Sequence, residues 1–251
     1  FSFQPSEVLK PSFVIISSLL LSRYKTKGDL SFLINSIIFV LISILLLKQP
    51  DFGMFLLIAS VWLIQIFNTK LNIKFFLIII SIFLLVFVLS YLSLDHVRFR
   101  INNFFFSNIG DNYQITKSLE SFANGGFFGQ GLGNGVISKN LPDAHSDFIY
   151  ALIGEEFGFL TVLFIILLYM TLYLRVFIIA HNTKKFFIFN SITGLINIVI
   201  FQAIINISSS LNILPTKGMT LPLISYGGSS LISSSIIVGF MLVLTRIIKN
   251  E

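Results

Sequence analysis

The chain has 251 residues, of which 55% are hydrophobic and 11% are charged, and its formal net charge is +6. A soluble globular domain has about 25% charged residues, so this composition excludes an ordinary cytosolic enzyme, and the same composition excludes an intrinsically disordered chain. The sequence contains no cysteine, which excludes disulfide bonds, thiolate metal sites and cysteine nucleophiles. It begins with Phe1 and not with Met, so we expect a fragment of a longer protein.

Seven apolar blocks follow one another along the chain, and most of them approach the roughly 20 residues that a helix needs to cross a bilayer. The first is short and contains Lys10 and Pro11, and the fifth is longer than one span needs, so residues 148–159 are expected near the membrane interface or tilted. The pattern predicts an all-α, polytopic membrane helical bundle with about seven transmembrane helices. The blocks cover residues 8–22, 30–47, 52–69, 73–94, 148–180, 186–211 and 221–247.

Basic residues are concentrated in alternate loops between these blocks. Those loops have a net charge of +8 and the loops on the other side have −2, which together give the +6 of the chain. Short loops rich in lysine and arginine stay in the cytoplasm, so the C-terminus is predicted to be cytoplasmic and residues 95–147 extracytoplasmic. The positive charge is therefore interpreted as an insertion signal and not as a nucleic-acid footprint. The basic residues of the cytoplasmic set are Arg23, Lys25, Lys27, Lys70, Lys74, Arg175, Lys184, Lys185, Arg246 and Lys249.

The segment 95–147 is the long extracytoplasmic loop, and loops of this length are usually functional or disordered. Its sequence predicts a short helix around residues 113–123, followed by six glycines between Gly125 and Gly135. A nucleotide-binding loop is excluded, because no strand precedes the glycines and no Gly-Lys-Ser/Thr sequence opens a following helix. Two interpretations stay open: a flexible turn, or a backbone that must approach a bulky ligand closely.

Acidic residues cluster where the fifth apolar block begins. Ser146 is predicted to cap a helix that starts at Asp147, where the helix dipole stabilises an acid, so capping alone could explain Asp147. Ionisable groups at membrane depth nevertheless indicate function. On one helix, Asp147 and Glu155 would share a face about 12 Å apart along the axis, too far for a two-carboxylate glycosidase site. The spacing of Gly154 and Gly158 predicts close helix packing.

Residues 211–235 contain two prolines and three glycines that should break the helix at the outer membrane edge. Irregular backbone at this depth survives only when it is buried in protein or lines a wet cavity. Lys217 is the one charge in this stretch. It is either a solvated loop lysine that anchors the interface, or a cation that faces an anionic lipid headgroup such as a pyrophosphate.

Together these stretches resemble the SEDS family (shape, elongation, division and sporulation), and within it the cell-division branch. Family members have ten transmembrane helices. The resemblance therefore implies that the seven blocks are the fourth to tenth helices, that residues 1–251 form a single partial transmembrane domain, and that three helices are missing upstream. The resemblance is carried by FQPSEVLK at 3–10, KQPDFG at 48–53, HVRFRI at 96–101, YQITKSLESFANGGFFGQGLGNG at 113–135, LPDAHSDFIYALIGEEFGFL at 141–160 and LPTKGMTLPLISYGGSSLI at 214–232.

The resemblance implies a peptidoglycan glycosyltransferase that joins lipid II units at the division septum, with undecaprenyl pyrophosphate as leaving group. It carries the family's essential aspartate onto Asp147, which would accept the proton of the attacking sugar hydroxyl in an inverting transfer. The departing pyrophosphate needs cations, for which we select Lys217, Arg98 and Arg100. A divalent cation, Mg²⁺ or Mn²⁺, is a further candidate with no ligands assigned. The other substrate-binding candidates are Gln114, His145, Glu155, Ser225, Tyr226, Gly227, Gly228 and Ser229.

The family resemblance also implies partners and a location. We expect a multi-pass protein of the bacterial inner membrane whose partners are lipid II, membrane lipids, a class B penicillin-binding protein (an FtsI-type transpeptidase) and other membrane proteins of the division machinery, without nucleic acid.

Two other functions stay open, a flippase that moves lipid II across the membrane and a non-catalytic scaffold. A flippase should have polar residues along a path through the membrane. The amides inside the blocks form only a thin polar lining, which favours chemistry at the outer surface. They are Asn35, Gln65, Asn197, Gln202 and Asn206.

Three positions and one segment depart from the family pattern. Lys117 stands where the family usually has Gln, Gly135 stands where Ser is usual, and Asn212 replaces a common Gly. The segment 136–140 is about one residue shorter than usual, so the family's lysine is not carried over onto Lys139. These departures concern the substrate contacts of the loop, and none of them touches Asp147.

Overall fold

A computed structural model describes residues 4–27, 29–106, 113–215 and 218–249. Within these ranges the chain forms nine α-helices and a short 3₁₀ turn at Ser138–Asn140. The helices, in chain order, are α1 (Pro5–Lys27), α2 (Asp29–Lys48), α3 (Phe52–Phe67), α4 (Ile73–Ser93), α5 (Asp95–Phe106), α6 (Tyr113–Gly125), α7 (Ile149–His181), α8 (Phe186–Ser210) and α9 (Gly228–Lys249).

Each of the seven apolar blocks contains a helix. Five helices, α2, α4, α7, α8 and α9, are long and apolar enough to cross a membrane. α3 is apolar but has only 16 residues, and α1 is long enough but contains polar and charged residues such as Glu7 and Lys10. The predicted all-α, multi-pass membrane fold is confirmed.

The surfaces of α2 and α4 are those of helices that contact lipid. Large apolar side chains are more than half exposed on both, as at Leu41 and Leu45 of α2 and at Ile82 and Leu85 of α4. Contiguous exposed apolar surface of this kind is rare on a soluble monomer. In a bilayer it is the favourable state, because lipid tails are as apolar as the side chains.

The structure moves several element boundaries. The helix predicted around 113–123 is confirmed as α6, whereas α5 is a helix that the sequence pattern did not predict. α7 begins at Ile149 and not at Asp147, so the prediction that Ser146 caps a helix starting there is wrong. α9 begins at Gly228, seven residues into the last apolar block, because residues 221–227 turn irregularly before it.

The chain divides into two compact units. The first comprises the residues up to Val97, Leu174–Val199 and the residues from Ile232 onwards. Its core includes a stacked pair, Phe39 on α2 and Trp62 on α3, with ring centroids 4.0 Å apart. Asp51 begins α3 by accepting the Met54 amide at 3.0 Å, which is an N-cap that satisfies one free helical donor.

The first unit also contains a buried ion pair. Lys10 Nζ lies 2.6 Å from Glu7 Oε2 on α1, and both side chains are almost completely buried. Ser233 on α9 donates to the Glu7 carbonyl at 2.7 Å. The polar start of α1 is therefore neutralised and tied to a helix more than 200 residues away in sequence.

The second unit comprises Arg98–Tyr173 and Ile200–Leu231. It contains α6, the glycine-rich loop, the first part of α7, the end of α8 and the irregular segment before α9. Two apolar clusters fill it. Tyr150, Val162, Ile165, Ala203 and Leu221 form one cluster, and Leu141, Ala144, Phe148 and Ala151 form the other.

Candidate functional site

Residues 141–148, which we call the aspartate turn, lead into α7. Asp143 has φ +56°, a left-handed conformation that aspartate tolerates better than most residues. Its carbonyl accepts hydrogen bonds from the amides of Ser146, Asp147 and Phe148 at 3.0–3.3 Å. The Ser146 hydroxyl donates to the same carbonyl at 3.3 Å. These bonds close a tight turn that holds Asp147 just before the helix.

Asp147 is half-buried and is fixed by groups from a distant part of the chain. Asn206, which is buried on α8, donates to the Asp147 carbonyl at 2.8 Å and to the Met219 carbonyl at 2.6 Å. Gly218 has φ +60°, and a Cβ at this position would lie 3.1 Å from Asp147 Oδ2. The Asn206 side chain thus links the backbone at Asp147 to the backbone at Met219, and Gly218 leaves room beside the Asp147 carboxylate.

The surroundings of Asp147 favour its protonated form. Burial raises the pKa of the Asp147 carboxyl above its ordinary value of 3.8, and the nearby charge of Asp143 raises it further, while a hydrogen bond from Ser146 partly opposes both. A carboxylate with raised proton affinity is better suited to act as a base near neutral pH.

Residues 218–227, the irregular segment, are held in place by α7, α8 and α9. Gln202 donates to the carbonyl and the hydroxyl of Thr220 at 3.0 and 3.2 Å, and the Thr220 hydroxyl donates to Ser230 Oγ at 2.6 Å. The Tyr169 hydroxyl donates to the Pro222 carbonyl. The backbone carbonyls of Thr220 and Pro222 are thus paired within the protein, as expected for irregular backbone at membrane depth.

Two hydrogen bonds join the irregular segment to the aspartate turn, and a third lies within the irregular segment. The Tyr226 amide donates to the His145 carbonyl at 2.9 Å, and the Ser225 hydroxyl donates to the Ser146 carbonyl at 2.5 Å while accepting from the Leu221 amide at 2.7 Å. The structure therefore brings the predicted residues His145, Ser225 and Tyr226 next to Asp147. The Ser225 hydroxyl links the backbones of Leu221 and Ser146. The Tyr226 side chain is 85% exposed.

A cavity of about 590 Å³, the aspartate-turn cavity, opens beside these residues. Its lining includes His145 and Tyr226, which are predicted substrate-binding residues, and also Lys139, Asp143 and Glu156, which are not. Asp143 and Glu156 belong to the acidic cluster at the start of the fifth apolar block. The family's lysine is not carried over onto Lys139, because the segment 136–140 that contains it is about one residue short, and only the folded loop brings Lys139 to the cavity. The remaining described lining residues are Ser138, Leu141, Ala144, Ser146 and Leu152.

Glu155 is completely buried, and its role is to hold the loop. Its carboxylate accepts hydrogen bonds from the amides of Val136, Ile137 and Ser138 at 2.7–3.0 Å and from Asn124 at 2.7 Å. The expectation that Glu155 and Asp147 share a helical face is wrong, because Asp147 lies before the helix. The Glu155 carboxylate accepts from four donors, and Glu155 is not among the described residues that line the aspartate-turn cavity.

The glycine tract packs against a break in α7. Gly158 has φ +78°, which interrupts the helix, and the carbonyls of Glu155 and Glu156 instead accept the amides of Gln130 and Gly131 at 2.9 Å. A Cβ at Gly129 would collide with the Glu156 carbonyl. At Gly129, the close approach that glycine allows is therefore to the protein's own backbone.

The predicted packing role of Gly154 is confirmed. A Cβ at Gly154 would collide with the ring of Phe122 on α6, and one at Gly125 would collide with the Gly154 carbonyl oxygen. Gly158, the second glycine of the predicted pair, instead provides the helix break.

The remaining predicted residues are less closely gathered. Arg98 and Arg100 are exposed on α5 and Gln114 is half-buried on α6, and none of them is among the described residues that line the aspartate-turn cavity. Gly227 lies against Thr220, whose Cγ2 would be 3.3 Å from a Cβ there, while Gly228 and Ser229 begin α9. Lys217 lies outside the described residues.

A metal site is not evident in the part of the chain that the structure describes, where no three histidine, aspartate or glutamate side chains gather to hold an ion. Asp143 and Asp147 are the two neighbouring carboxylates. Mg²⁺ commonly binds one or two carboxylates and completes its shell with water and substrate phosphates. These two residues could therefore contribute to such an ion only together with a phosphorylated substrate.

Three comparisons with known proteins identify relatives of the whole chain. The family described as cell cycle protein, FtsW/RodA/SpoVE, matches residues 1–250. The chain is 34% identical to a protein of Caulobacter vibrioides over 98% of its own length and 63% of the relative's. It is 39% identical to one of Riesia pediculicola over 95% of its own length and 66% of the relative's. Both relatives are named probable peptidoglycan glycosyltransferase FtsW. The chain thus spans slightly less than two thirds of either.

A solved structure agrees with the fold. That structure is described as the structural coordination of polymerization and crosslinking by a peptidoglycan synthase complex. One protein chain in it matches this chain with a TM-score of 0.79 at 25% identity. The match covers 100% of this chain and 72% of that one. The chain belongs to the FtsW/RodA/SpoVE family of cell cycle proteins.

Proposed function

We propose that this protein is a peptidoglycan glycosyltransferase that polymerises lipid II, and that Asp147 is its general base. The single observation that supports this most is the half-buried Asp147 carboxylate, with its raised pKa, in a turn that Asn206 holds through the Asp147 carbonyl and whose neighbours His145 and Ser146 line a cavity. The relatives named as probable peptidoglycan glycosyltransferases support the reaction class.

The proposed reaction is one displacement at a sugar carbon. The 4-hydroxyl oxygen of the acceptor sugar forms a bond to the anomeric carbon of the donor, and the bond from that carbon to the pyrophosphate oxygen breaks. The hydroxyl proton passes to Asp147, and undecaprenyl pyrophosphate leaves with the bonding electrons. An α-linked donor that becomes a β-linked product is inverted, so one base suffices and no sugar–enzyme bond is needed.

The charge on the leaving pyrophosphate requires cationic stabilisation. Lys217, Arg98 and Arg100 stay our candidates for it, and Mg²⁺ or Mn²⁺ bound through the substrate phosphates is compatible with the two nearby carboxylates. No step of the proposed reaction depends on the metal.

The aspartate-turn cavity is our candidate for the site that holds the sugar acceptor. Tyr226 offers an exposed aromatic face, and His145 and Lys139 offer hydrogen-bond donors. Aromatic faces and a few placed polar groups are typical of small-molecule sites. Because His145 and Tyr226 are joined through the backbone to the turn of Asp147, a sugar bound there would lie near the base.

The polar groups of the helices support surface chemistry over lipid transport. Gln202 and Asn206 are used to hold the irregular segment, and Gln65 donates to the Val14 carbonyl and to Ser18 Oγ. Asn197 donates to the carbonyl of its own helix at Thr193. These four amides form structural hydrogen bonds, whereas a transport path would need polar groups free to bind a moving headgroup. The fifth amide, Asn35, is buried on α2 and has no hydrogen-bond partner among the described residues.

We also propose the setting of this activity. A class B penicillin-binding protein is the expected partner, supported by the similarity to a chain of a solved peptidoglycan synthase complex. Septal location follows from the similarity to relatives named FtsW. A cytoplasmic C-terminus follows from the charge asymmetry of the loops.

The test is polymer synthesis by the complete gene product, purified with its penicillin-binding partner and supplied with lipid II. Asp147→Asn should lower the rate by about 10²–10⁴-fold, the usual contribution of a general base. Glu120→Gln is the matched control, because it removes a carboxylate that pairs with Lys117 elsewhere in the loop, and it should retain activity. Undiminished polymer from Asp147→Asn would overturn the assignment. Lipid translocation without polymer from the wild type would favour a flippase.

A further inference from the structure

A second cavity, the cationic cavity, lies in the first unit where α7 and α9 end. It has a volume of about 890 Å³. Three of its lining residues are basic: Lys184 in the connection from α7 to α8, and Arg246 and Lys249 in the last turn of α9. The other described lining residues are Ile179, Asn182, Leu242, Thr245 and Ile248.

The charge of this cavity is of one sign. No aspartate or glutamate is among its described lining residues, and the described part of the chain shows no ion pair for any of the three basic side chains. Cations in a last helical turn compensate the helix dipole, which accounts for Arg246 and Lys249. The helix dipole does not explain why Lys184 lines the same cavity as Arg246 and Lys249. The general excess of lysine and arginine in cytoplasmic loops does not explain it either.

The remainder of the cavity wall is apolar. Ile179, Leu242 and Ile248 line it, and Leu242 is 65% exposed. A soluble anion would satisfy the basic residues but would leave this apolar surface uncovered. A molecule with an anionic headgroup and hydrocarbon chains would satisfy both parts of the wall.

We infer that the cationic cavity binds an anionic phospholipid. Its phosphate lies among Lys184, Arg246 and Lys249, and its acyl chains lie along Ile179 and Leu242. Basic pockets between transmembrane helices on the cytoplasmic side recognise anionic lipid headgroups by this combination of charges. The site belongs to the first unit and does not depend on the proposed glycosyl transfer.

Native mass spectrometry of the complete gene product in detergent tests the inference. The protein is titrated with phosphatidylglycerol and with phosphatidylcholine of the same acyl chains, and then with inorganic phosphate as competitor. We expect phosphatidylglycerol to bind at least tenfold more tightly than phosphatidylcholine, and phosphate at the same concentration not to displace it. Equal binding of the two lipids, or displacement by phosphate alone, would overturn the lipid assignment.

Variants separate this site from diffuse electrostatic attraction. Each basic residue near a membrane surface strengthens anionic-lipid binding about fivefold. The single variant Lys184→Gln should therefore weaken binding about fivefold. The triple variant Lys184→Gln, Arg246→Gln and Lys249→Gln should weaken it about a hundredfold. The matched control removes three other basic residues of the predicted cytoplasmic set, Arg23→Gln, Lys74→Gln and Arg175→Gln. Equal losses in the two triple variants would refute a defined site. Lys184→Gln alone leaves the last turn of α9 intact, so it decides the question if the triple variant does not fold.

Discussion

At the scale of single residues, Asp147 is shaped by three neighbours. Asp143 adds a like charge, Ser146 supplies a hydrogen bond, and Gly218 leaves space beside Oδ2. A larger residue than glycine at 218 would have to adopt φ +60° and would press on the carboxylate. Burial raises the pKa of Asp147 most, and the charge of Asp143 raises it further, so the proton affinity of Asp147 depends on its surroundings as much as on its own side chain.

The pH dependence of polymerisation should report this coupling. A base works when it is ionised, so the rate should fall as the pH decreases through the raised pKa of Asp147. Asp143→Asn removes the like charge, lowers the pKa of Asp147 and should move this acidic limb to lower pH. Ser146→Ala removes the opposing hydrogen bond and should move it to higher pH. The measurement is the rate of glycan synthesis from lipid II as a function of pH.

The same shift predicts the stability of the base variant. Because the pKa of Asp147 is raised in the folded protein, its ionised form disfavours folding at any pH above that pKa, and the cost disappears as the pH falls below it. Asp147→Asn should therefore not lower the melting temperature at neutral pH.

For the pH dependence of polymerisation, an acidic limb that is unchanged in both Asp143→Asn and Ser146→Ala would contradict the assignment of the limb to Asp147.

At the scale of elements, the break in α7 and the glycine tract depend on each other. Gly158 leaves the Glu155 and Glu156 carbonyls without partners in the helix, and the tract supplies amide donors to them. The Glu155 side chain then collects three further amides from residues 136–138. One short stretch of helix thereby orders most of the loop that leads to the aspartate turn.

A pair of glycine substitutions tests this packing. Gly129 and Gly126 both have positive φ, so alanine at either should cost about 1–2 kcal/mol from backbone strain alone. A Cβ at Gly129 would in addition collide with the Glu156 backbone, whereas a Cβ at Gly126 has nothing within 4 Å. Gly129→Ala should therefore lower the melting temperature clearly more than Gly126→Ala. Equal decreases would show that contact with α7 contributes little.

At the scale of the whole molecule, the chain buries charge where its composition offers little charge to bury. Glu7 and Lys10 form an ion pair inside the first unit, and Ser233 binds the Glu7 carbonyl from α9. Burying two charges is costly, and it is tolerated when they neutralise each other. Removal of one partner would leave the other charge buried and unpaired.

Breaking the pair should therefore destabilise the protein more than removing it. Lys10→Met leaves a buried carboxylate without its partner and should cost about 3–5 kcal/mol, whereas Glu7→Gln combined with Lys10→Met should recover much of that loss. Thermal unfolding in detergent measures both variants. A double variant as unstable as Lys10→Met would show that the loss comes from packing of the lysine stem and not from charge.

The positions of helices could be predicted from the sequence to a large extent. Apolar blocks of transmembrane length left few alternatives, because a backbone in lipid must satisfy its own hydrogen bonds and only a helix does so within one segment. Boundaries were less predictable. An aspartate is favoured in the first turn of a helix, so the sequence predicts that the helix starts at Asp147. In the structure Asp143 adopts a left-handed conformation and closes a turn before the helix begins. No residue pattern in the sequence uniquely indicates such a conformation.

The sequence by itself determined the membrane class, the helical blocks, the charge asymmetry of the loops and the family motifs, since all of these depend on composition and local order along the chain. Only the tertiary structure decided that Asn206 holds Asp147, that Glu155 is a buried anchor for the loop, and that Lys139 reaches the cavity of His145 and Tyr226. These outcomes depend on hydrogen bonds and packing between residues far apart in sequence. No local pattern records such contacts, because they exist only once the helices are assembled.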